Sequence, residues 1–395
     1  MTNRQLFLQH LAPTSDAPLA LEIKKAKGIY LYGTQKKKYM DLISGISVSN
    51  VGHSHPKVIS AIKKQLEDYM HLMVYGEYIQ SPQIKLAKKL SELLPNNLNC
   101  SYFVNSGSEA VEGALKLAKR FTGRTEIISF KNAYHGSSHG AMSVMGNEEM
   151  KTAYRPLLPD IRFIEINNLS QLKNISKKTA CVIIEPIQGE AGVIASEKKF
   201  LKALRERCTE MGTLLIFDEI QTGFGRTGTL FAFEDYKIIP DILTLGKAMG
   251  GGMPVGAFVS SKKIMSMLSN NPVLGHITTF GGHPVSCAAA LANLEILTSS
   301  ENNFQVLEKE KLFRQYLKHP VIKSIRGKGL LLAIEFENFE INKKIIDRCI
   351  EKGVITDWFL FCSNAMRIAP PLIITKEEIK KACQIITESI TYFFD

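Results

Sequence analysis

The sequence lacks the cysteine spacing of a zinc site or of a disulfide-rich scaffold. Its 395 residues include seven cysteines, an odd number, scattered along the chain without a C-x-x-C pair. Zinc modules and small secreted domains depend on closely spaced or paired cysteines. We therefore expect reduced, mostly structural thiols and no metal centre.

Long apolar runs and an apolar leader are also missing. No stretch approaches the roughly 20 apolar residues of a membrane-spanning helix, and the N-terminal MTNRQLFLQH lacks the apolar core of a signal peptide. Repeats and low-complexity tracts are absent as well. These features predict a cytoplasmic protein without a membrane partner.

The basic charge is not concentrated in one tract. The formal net charge is +11, but the lysines are spread over many segments, such as 36–38 and 343–344. Nucleic-acid-binding proteins usually cluster their basic residues on one face. We expect a solvated basic surface with no nucleic-acid partner, and at most a weak preference for dicarboxylate substrates.

The size and composition predict one large domain and a smaller one. With 45% hydrophobic and 22% charged residues, the chain can bury a large core. Residues 1 to about 20 are expected to form an arm, because Pro13 and Pro18 break any helix. A small antiparallel hairpin is predicted over 29–42.

The helical patterns place further elements. A helix beginning near Pro56 is expected to bury one face, which carries Val58, Ile59, Ile62 and Leu66. Residues 284–317 are helical in pattern and lead out of the large domain. Beyond them the sequence predicts a strand over 330–336 and helices near 341–352 and 376–393.

Two apolar runs between residues 214 and 252 organise the chain. Residues 214–217 (LLIF) end on Asp218, and residues 242–245 (ILTL) end on Gly246 and Lys247. Such runs are typical of buried parallel strands, whose carboxyl ends share one crevice. Asp218 and Lys247 could form an ordinary ion pair. Alternatively, the lysine amine could form a Schiff base with an aldehyde, while the carboxylate holds a pyridine nitrogen protonated.

A capped helix follows the predicted strand at 101–104. Ser106 and Glu109 form an S-x-x-E capping box, and helical spacing continues to Gly123. This pattern fits an ordinary helix start. It also fits an anion site, because free N–H groups at a helix N-terminus bind phosphate and Gly107 permits close approach.

Other candidate residues also have a plain structural interpretation. Tyr134 could pack in a core or lie flat on a pyridine ring. Glu185 and Glu190 could be surface charges. His53 and His55 could be metal ligands, but no further ligand lies nearby in the sequence, so a role in stabilising their loop is favoured.

The strings IFDEIQTGFGRTG and LTLGKAMGGGMPVGA resemble class III aminotransferases, which are fold-type I enzymes dependent on pyridoxal phosphate. This group contains the acetylornithine, ornithine and 4-aminobutyrate aminotransferases, and the resemblance extends from about residue 20 to 392. It implies an α/β fold with a mostly parallel seven-stranded sheet between helices. A smaller α/β domain would be built from the N- and C-terminal segments. The implied division is an arm and hairpin over 1–50, a large cofactor domain over 51–290, and a connecting helix with the small domain over 291–395.

The same resemblance implies a set of site residues. Lys247 would be the Schiff-base lysine and Asp218 the partner of the ring nitrogen. Glu190 would pair with Arg367, which binds a substrate carboxylate, and Thr279 would reach the partner's phosphate across a homodimer interface. The remaining cofactor contacts would be Ser106, Gly107, Ser108, Tyr134, His135, Glu185 and Gln221.

The resemblance leaves the substrate open at Ser137. Acetylornithine, ornithine and 4-aminobutyrate enzymes commonly have an arginine at this position. The leading expectation is transamination of an N-acetylornithine- or ornithine-like donor with 2-oxoglutarate, by a ping-pong mechanism. Alternatives are an amine:pyruvate-type or diaminopelargonate-type aminotransferase, a mutase or decarboxylase on the same fold, and a binding protein with a vestigial site. Arg155, Tyr75 and Glu77 are hypothetical contacts to the distal end of the substrate.

Overall fold

A seven-stranded sheet forms the centre of the molecule in the computed structural model, which describes residues 1–34 and 36–394. Its strand order is β4-β12-β11-β10-β7-β5-β6, and only β12 runs antiparallel to its neighbours. The predicted mostly parallel sheet is therefore confirmed. Its strands are β4 (Cys100–Val104), β5 (Glu126–Phe130), β6 (Ile161–Ile164), β7 (Thr179–Ile184), β10 (Leu214–Asp218), β11 (Ile242–Leu245) and β12 (Gly256–Ser260).

Alternating side chains of this sheet enter two separate cores. Leu215 and Phe217 of β10 belong to one core, and Leu214 and Ile216 belong to the other. Successive residues of a strand point to opposite faces, so apolar residues at every position bury the strand on both sides. Helices α4 (Ser81–Leu93), α7 (Lys198–Met211) and α10 (Pro284–Thr298) contribute to the first core, and α5 (Gly107–Thr122) to the second.

The chain termini build a smaller α/β unit. One of its sheets has the order β1-β2-β3-β15 and the other β13-β14-β17-β16. Met40 and Leu42 share a core with Leu332, Ile334 and Ile386, which joins both ends of the chain. The implied two-part fold is confirmed, while the boundaries after residues 50 and 290 stay a prediction.

The remaining elements have the following bounds. The strands are β1 (Ile23–Lys27), β2 (Tyr30–Gly33), β3 (Lys38–Asp41), β8 (Ile187–Gln188), β9 (Ile194–Ala195), β13 (Ser324–Lys328), β14 (Leu331–Glu335), β15 (Val354–Ile355), β16 (Trp358–Phe359) and β17 (Cys362–Ile368). The helices are α1 (Asn3–His10), α2 (Ser44–Ser47), α3 (Pro56–Asp68), α6 (His139–Ser143), α8 (Phe233–Tyr236), α9 (Lys262–Met265), α11 (Val306–Tyr316), α12 (Phe339–Glu351) and α13 (Lys376–Phe394).

Three local predictions are corrected. The arm contains helix α1, because Thr2 and Gln5 form a capping box well before Pro13. On α3 only Val58 of the four expected apolar residues is buried, while Ile59 and Leu66 are exposed in the single chain. The helical segment over 284–317 is broken between α10 and α11.

The two histidines near α3 both hold their loop. His53 Nε2 lies 2.7 Å from Asp41 Oδ2, and the His55 side chain accepts a hydrogen bond from Lys57 N at 3.3 Å. Among the residues that the structure describes, no group of three or more His, Cys, Asp or Glu side chains is arranged to hold a metal ion. Within residues 1–34 and 36–394, no helix combines the length and apolar content needed to cross a bilayer.

Candidate active site

A cavity of about 440 Å³ lies where the carboxyl ends of the parallel strands meet. The segments after β4, β5, β7, β10 and β11 all contribute to its wall. Ligand sites in α/β sheets form at this edge because the loops converge there. Lining residues include Gly107, Ser108, Tyr134, Glu185, Asp218 and Lys247.

Asp218 is held at the end of β10 by two donors. His135 Nδ1 lies 2.7 Å from Asp218 Oδ2, and Ile220 N donates to Asp218 Oδ1 at 3.0 Å. Both side chains are buried, with 4% and 0% exposure for Asp218 and His135. The carboxylate is thus oriented before any ligand arrives.

Lys247 directly follows the end of β11 in an unusual backbone conformation. Its φ is +47°, a left-handed value that few non-glycine residues adopt and that is common at functional sites. Burial lowers the pKa of the Lys247 amine, and the nearby carboxylates of Glu190, Asp218 and Glu185 act in the opposite direction. The neutral form of the Lys247 amine is therefore more favoured here than in water.

The N-terminus of α5 forms another wall. Ser106 caps the helix by accepting a hydrogen bond from Glu109 N at 3.2 Å, as predicted. The reciprocal half of the expected capping box does not form, because Glu109 Oε2 accepts from Asn105 N at 2.8 Å. A Cβ at Gly107 would stand 2.9 Å from side-chain atoms of Ile220, so any larger residue would require Ile220 to shift. Ser108 Oγ contacts Ser138 Oγ at 2.7 Å.

Tyr134 and Glu185 are linked through the backbone. Glu185 Oε1 accepts from Tyr134 N at 2.9 Å, and Oε2 accepts from Gly189 N at 3.0 Å. Burial raises the pKa of Glu185 to about 7, and Asp218 adds to this effect while His135 opposes it. The carboxyl therefore fixes the loop that carries the Tyr134 ring.

Glu190 and Arg367 form a buried bidentate pair beside the cavity. Arg367 Nη1 donates to Glu190 Oε1 at 2.9 Å, and Nη2 donates to Oε2 at 3.0 Å. Gln221 lines the cavity and donates to Glu190 Oε1 at 3.3 Å, so the pair is connected to the cavity wall. A Cβ at Gly189 would lie only 1.7 Å from Gln221 Oε1.

Asp357 is a residue that the sequence analysis missed. Its Oδ1 accepts from Arg367 Nε at 2.9 Å, on the edge of the guanidinium away from Glu190. It belongs to none of the recognised motifs. The available signal was the hairpin pattern of the short strand β16 and the longer strand β17, which returns the chain toward Asp357.

Several expected contacts lie away from the cavity of this chain. Thr279 is exposed, and it does not line the cavity. Arg155 is about half exposed and pairs with Glu148. Tyr75 borders a different cavity, and Glu77 is exposed.

The cavity fits the cofactor that the resemblance implies. Free N–H groups at the start of α5 suit a phosphate, and Gly107 carries no side chain that would hinder its approach to the backbone. The fixed Asp218 carboxylate suits a protonated ring nitrogen, and Lys247 offers an amine to an aldehyde. Of the contacts that the resemblance implies, all except Thr279 lie in this cavity or directly beside it, whereas the hypothetical distal contacts Arg155, Tyr75 and Glu77 do not.

Comparisons with known proteins agree with this arrangement. The family model described as "Aminotransferase class-III" matches residues 11–390. The acetylornithine aminotransferase of Methanocaldococcus jannaschii is 41% identical over 389 residues, which cover 94% of both chains. A [LysW]-aminoadipate semialdehyde/glutamate semialdehyde transaminase of Sulfurisphaera tokodaii is 37% identical, with 94% of this chain and 95% of the relative covered.

A solved structure extends the agreement to three dimensions. The ornithine aminotransferase of Toxoplasma gondii, described with partial occupancy of pyridoxal phosphate at its active site, superposes with a TM-score of 0.89. It is 30% identical and covers 98% of this chain and 93% of its own. The chain therefore belongs to the class III aminotransferases and is a transaminase that uses pyridoxal phosphate.

Proposed function

We propose that the enzyme transfers an amino group from an N-acetylornithine- or ornithine-like donor to 2-oxoglutarate, by a ping-pong mechanism. The observation that carries this proposal is the Glu190–Arg367 pair at the edge of the cavity. A guanidinium that is neutralised by an internal carboxylate can serve two different substrates in turn. Relatives that are named acetylornithine aminotransferase support the donor class.

Lys247 acts as the general base and acid. The bound cofactor supplies an electron sink that stabilises negative charge at the substrate carbon. Because burial lowers the pKa of the Lys247 amine, the neutral form can remove the proton from that carbon. The resulting Lys247 ammonium would then be the acid that returns the proton.

Asp218 and Tyr134 set the position of the ring. The Asp218 carboxylate is fixed by His135 and Ile220 N, and it would stabilise a positive charge on the ring nitrogen. The Tyr134 side chain lines the same cavity, where it would cover one face of the ring and exclude water. Gly107 and Ser108 would hold the phosphate at the start of α5.

Glu190 and Arg367 distinguish the two half-reactions. When the reacting end of the donor carries no carboxylate, Glu190 stays on Arg367 and neutralises it. When 2-oxoglutarate enters, its α-carboxylate replaces Glu190 and forms the same bidentate contact. One guanidinium therefore serves both substrates.

The active unit is proposed to be a homodimer. Thr279 is exposed in the single chain and does not line its cavity, which is compatible with a contact to the phosphate in the partner's cavity. Mixing Lys247→Ala chains with Thr279→Ala chains tests this: hybrid dimers should contain one site with both residues intact and regain activity. A cytoplasmic location remains a prediction.

A second candidate function is an amine:pyruvate-type transamination, which Ser137 favours. Ser137 Oγ lies 3.2 Å from the Tyr134 hydroxyl. Among the cavity-lining residues in the described part of the chain, Lys247 is the only lysine or arginine. A donor whose distal end is uncharged would not need an oppositely charged residue in the cavity.

A panel of amino donors tests the proposal. N-acetylornithine, ornithine, 4-aminobutyrate and an aromatic monoamine are each assayed with 2-oxoglutarate and with pyruvate. We expect the highest kcat/KM for an ω-amino acid with 2-oxoglutarate. Faster turnover of the monoamine with pyruvate would select the second candidate. Product formation without any oxo acid would instead indicate a mutase or decarboxylase.

A further inference from the structure

We propose that Asp357 is a positioning residue that keeps Arg367 oriented and paired while Glu190 gives way to a substrate carboxylate. The inference rests on the proposed role of Arg367 as the carboxylate site. It adds a second carboxylate partner that stays in place, which divides the guanidinium into an exchangeable edge and a fixed edge.

The two carboxylates occupy different edges of the guanidinium. Glu190 takes the end formed by Nη1 and Nη2, at 2.9 and 3.0 Å. Asp357 Oδ1 takes Nε at 2.9 Å. A guanidinium offers carboxylates two bidentate edges, the Nη1/Nη2 end and the Nε side. Because Asp357 occupies the second edge, only the first is left for exchange.

The exchangeable edge faces the cavity. Gln221, a lining residue, donates to Glu190 Oε1 at 3.3 Å. Glu190 is also close enough to Lys247 for the two charges to influence each other. A substrate carboxylate that enters from the cavity therefore reaches the position of Glu190 first.

Asp357 is fixed by the backbone around it. Arg367 N donates to Asp357 O at 2.8 Å, and Thr356 Oγ1 donates to Arg367 O at 2.6 Å. Each residue is therefore anchored to the other through the main chain. Arg367 is held further by the Trp358 carbonyl at 3.2 Å and by the Phe359 ring, whose centroid lies 4.4 Å from the guanidinium carbon.

Burial differs between the two carboxylates. Side-chain exposure is 4% for Glu190 and 27% for Asp357, so Asp357 retains contact with water. Burial raises the pKa of Asp357 to about 6, Arg367 opposes this effect, and Glu190 and Asp41 strengthen it. The charged groups that act on Asp357 are thus one cation and two carboxylates.

The arrangement gives Arg367 the same number of anionic partners before and after exchange. Arg367 has two anionic partners while Glu190 is bound, and it again has two when a substrate carboxylate has replaced Glu190. Between these states Asp357 remains as a counter-ion, so the exchange avoids a buried guanidinium without any partner. An unpaired buried charge is among the most unfavourable states in a protein interior.

Removing the side chain tests the inference. Asp357→Ala frees Nε, so the guanidinium can rotate and Glu190 can pair with the wrong edge. We expect calorimetric binding of glutarate, a non-reactive dicarboxylate, to weaken about tenfold, as for a lost hydrogen bond to a charged group. The KM for 2-oxoglutarate should rise similarly in steady-state assays. The single-turnover rate with a carboxylate-free amine should stay within about twofold.

Conservative and control variants separate positioning from general destabilisation. Asp357→Asn keeps an oxygen that accepts from Nε, so glutarate affinity should return to within about threefold of the parent. Asp235→Ala removes an aspartate that pairs with Lys328 at 2.6 Å and has a similar side-chain exposure of 31%. Because Asp235 lies outside the site, this variant should leave glutarate binding unchanged. If Asp357→Ala does not fold, Asp357→Ser, which is too short to reach Nε, should show the same loss.

The outcomes also distinguish this inference from the proposed function. Arg367→Lys is measured beside the Asp357 variants. If it loses glutarate binding while Asp357→Ala and Asp357→Ser bind as tightly as the parent or more tightly, the positioning role is refuted and the role of Arg367 survives. If Arg367→Lys also binds glutarate normally, the proposed function itself fails.

Discussion

Replacing Glu190 by glutamine should change which substrates the enzyme prefers. Glu190 receives hydrogen bonds from Arg367 and Gln221 and from Leu360 N at 3.1 Å. The Glu190→Gln side chain has nearly the same size but no charge. Arg367 would then lack its internal counter-ion on the cavity side, so a substrate carboxylate would bind without first displacing an anion.

The magnitude follows from the electrostatics of the pair. Burial alone raises the pKa of Glu190, but Arg367 more than offsets this effect, and the pKa lies at about 2 instead of 4.5. This difference corresponds to about 3 kcal/mol of net favourable interaction with the ionised form. The depressed pKa also means that this stabilisation is present above pH 4.5 and is lost only as the pH falls toward 2.

The free-energy difference sets the expected change in specificity. The full loss of about 3 kcal/mol corresponds to roughly 150-fold in relative affinity, and the amide oxygen will recover part of it. We expect kcat/KM for glutamate as donor to rise relative to a carboxylate-free amine by a factor between about 10 and 150. Initial rates for both donors, followed by visible absorbance in single turnovers, give this ratio.

A matched variant controls for the general effect of the substitution. Glu335→Gln alters a glutamate that pairs with Arg326 outside the cavity, and it should leave the donor ratio unchanged. An unchanged ratio in Glu190→Gln, with normal folding, would refute the idea that Glu190 masks Arg367.

Three further predictions concern chemistry and stability. Lys247→Ala should abolish transamination while far-UV circular dichroism stays that of the parent; steady-state turnover by this variant would contradict its role. Arg226→Met should lower the free energy of unfolding in urea by about 3–5 kcal/mol, because it leaves buried acceptors unpaired. As a control, Arg162→Met removes a half-exposed surface pair and should lower the free energy of unfolding by only about 0–1 kcal/mol. Burial raises the pKa of Glu219 to about 7, so its contribution to stability is present below pH 4.5 and lost as the pH rises through 7. Denaturation curves should therefore show Glu219→Gln gaining up to about 3 kcal/mol relative to the parent between pH 5 and 8, and a constant difference would contradict this.

The sheet could be predicted from the sequence because its strands are apolar at every position. Residues 214–217 and 242–245 are buried on both faces, and such runs have few alternatives to a central parallel strand. The buried face of α3 was less predictable. Ile59 and Leu66 have helical spacing with Val58 but remain exposed in the single chain, because periodicity does not show which apolar surface another element covers.

Predictability at the site depended on whether a residue belongs to a motif. The ends of the parallel strands must meet at one edge of the sheet. The proximity of Asp218, Lys247 and Gly107, which lie at or just after such ends, was therefore predictable. The Glu190–Arg367 contact spans 177 residues and came only from the resemblance. Asp357 belongs to no motif, and its contact depends on the backbone pairing that returns β17 to it.

Two buried arginines contact the smaller unit, and they differ in a way that constrains substrate exchange. Arg226 is fully buried and donates to Leu330 O at 2.9 Å and Pro370 O at 2.6 Å, with further contacts to Ser44 and Asn50. Separating these partners would expose several buried polar groups at once. Arg367, in contrast, has one partner, Glu190, on an edge that faces the cavity. The exchange of Glu190 for a substrate carboxylate is therefore expected to be a local side-chain movement, with the contacts of Arg226 intact throughout the reaction.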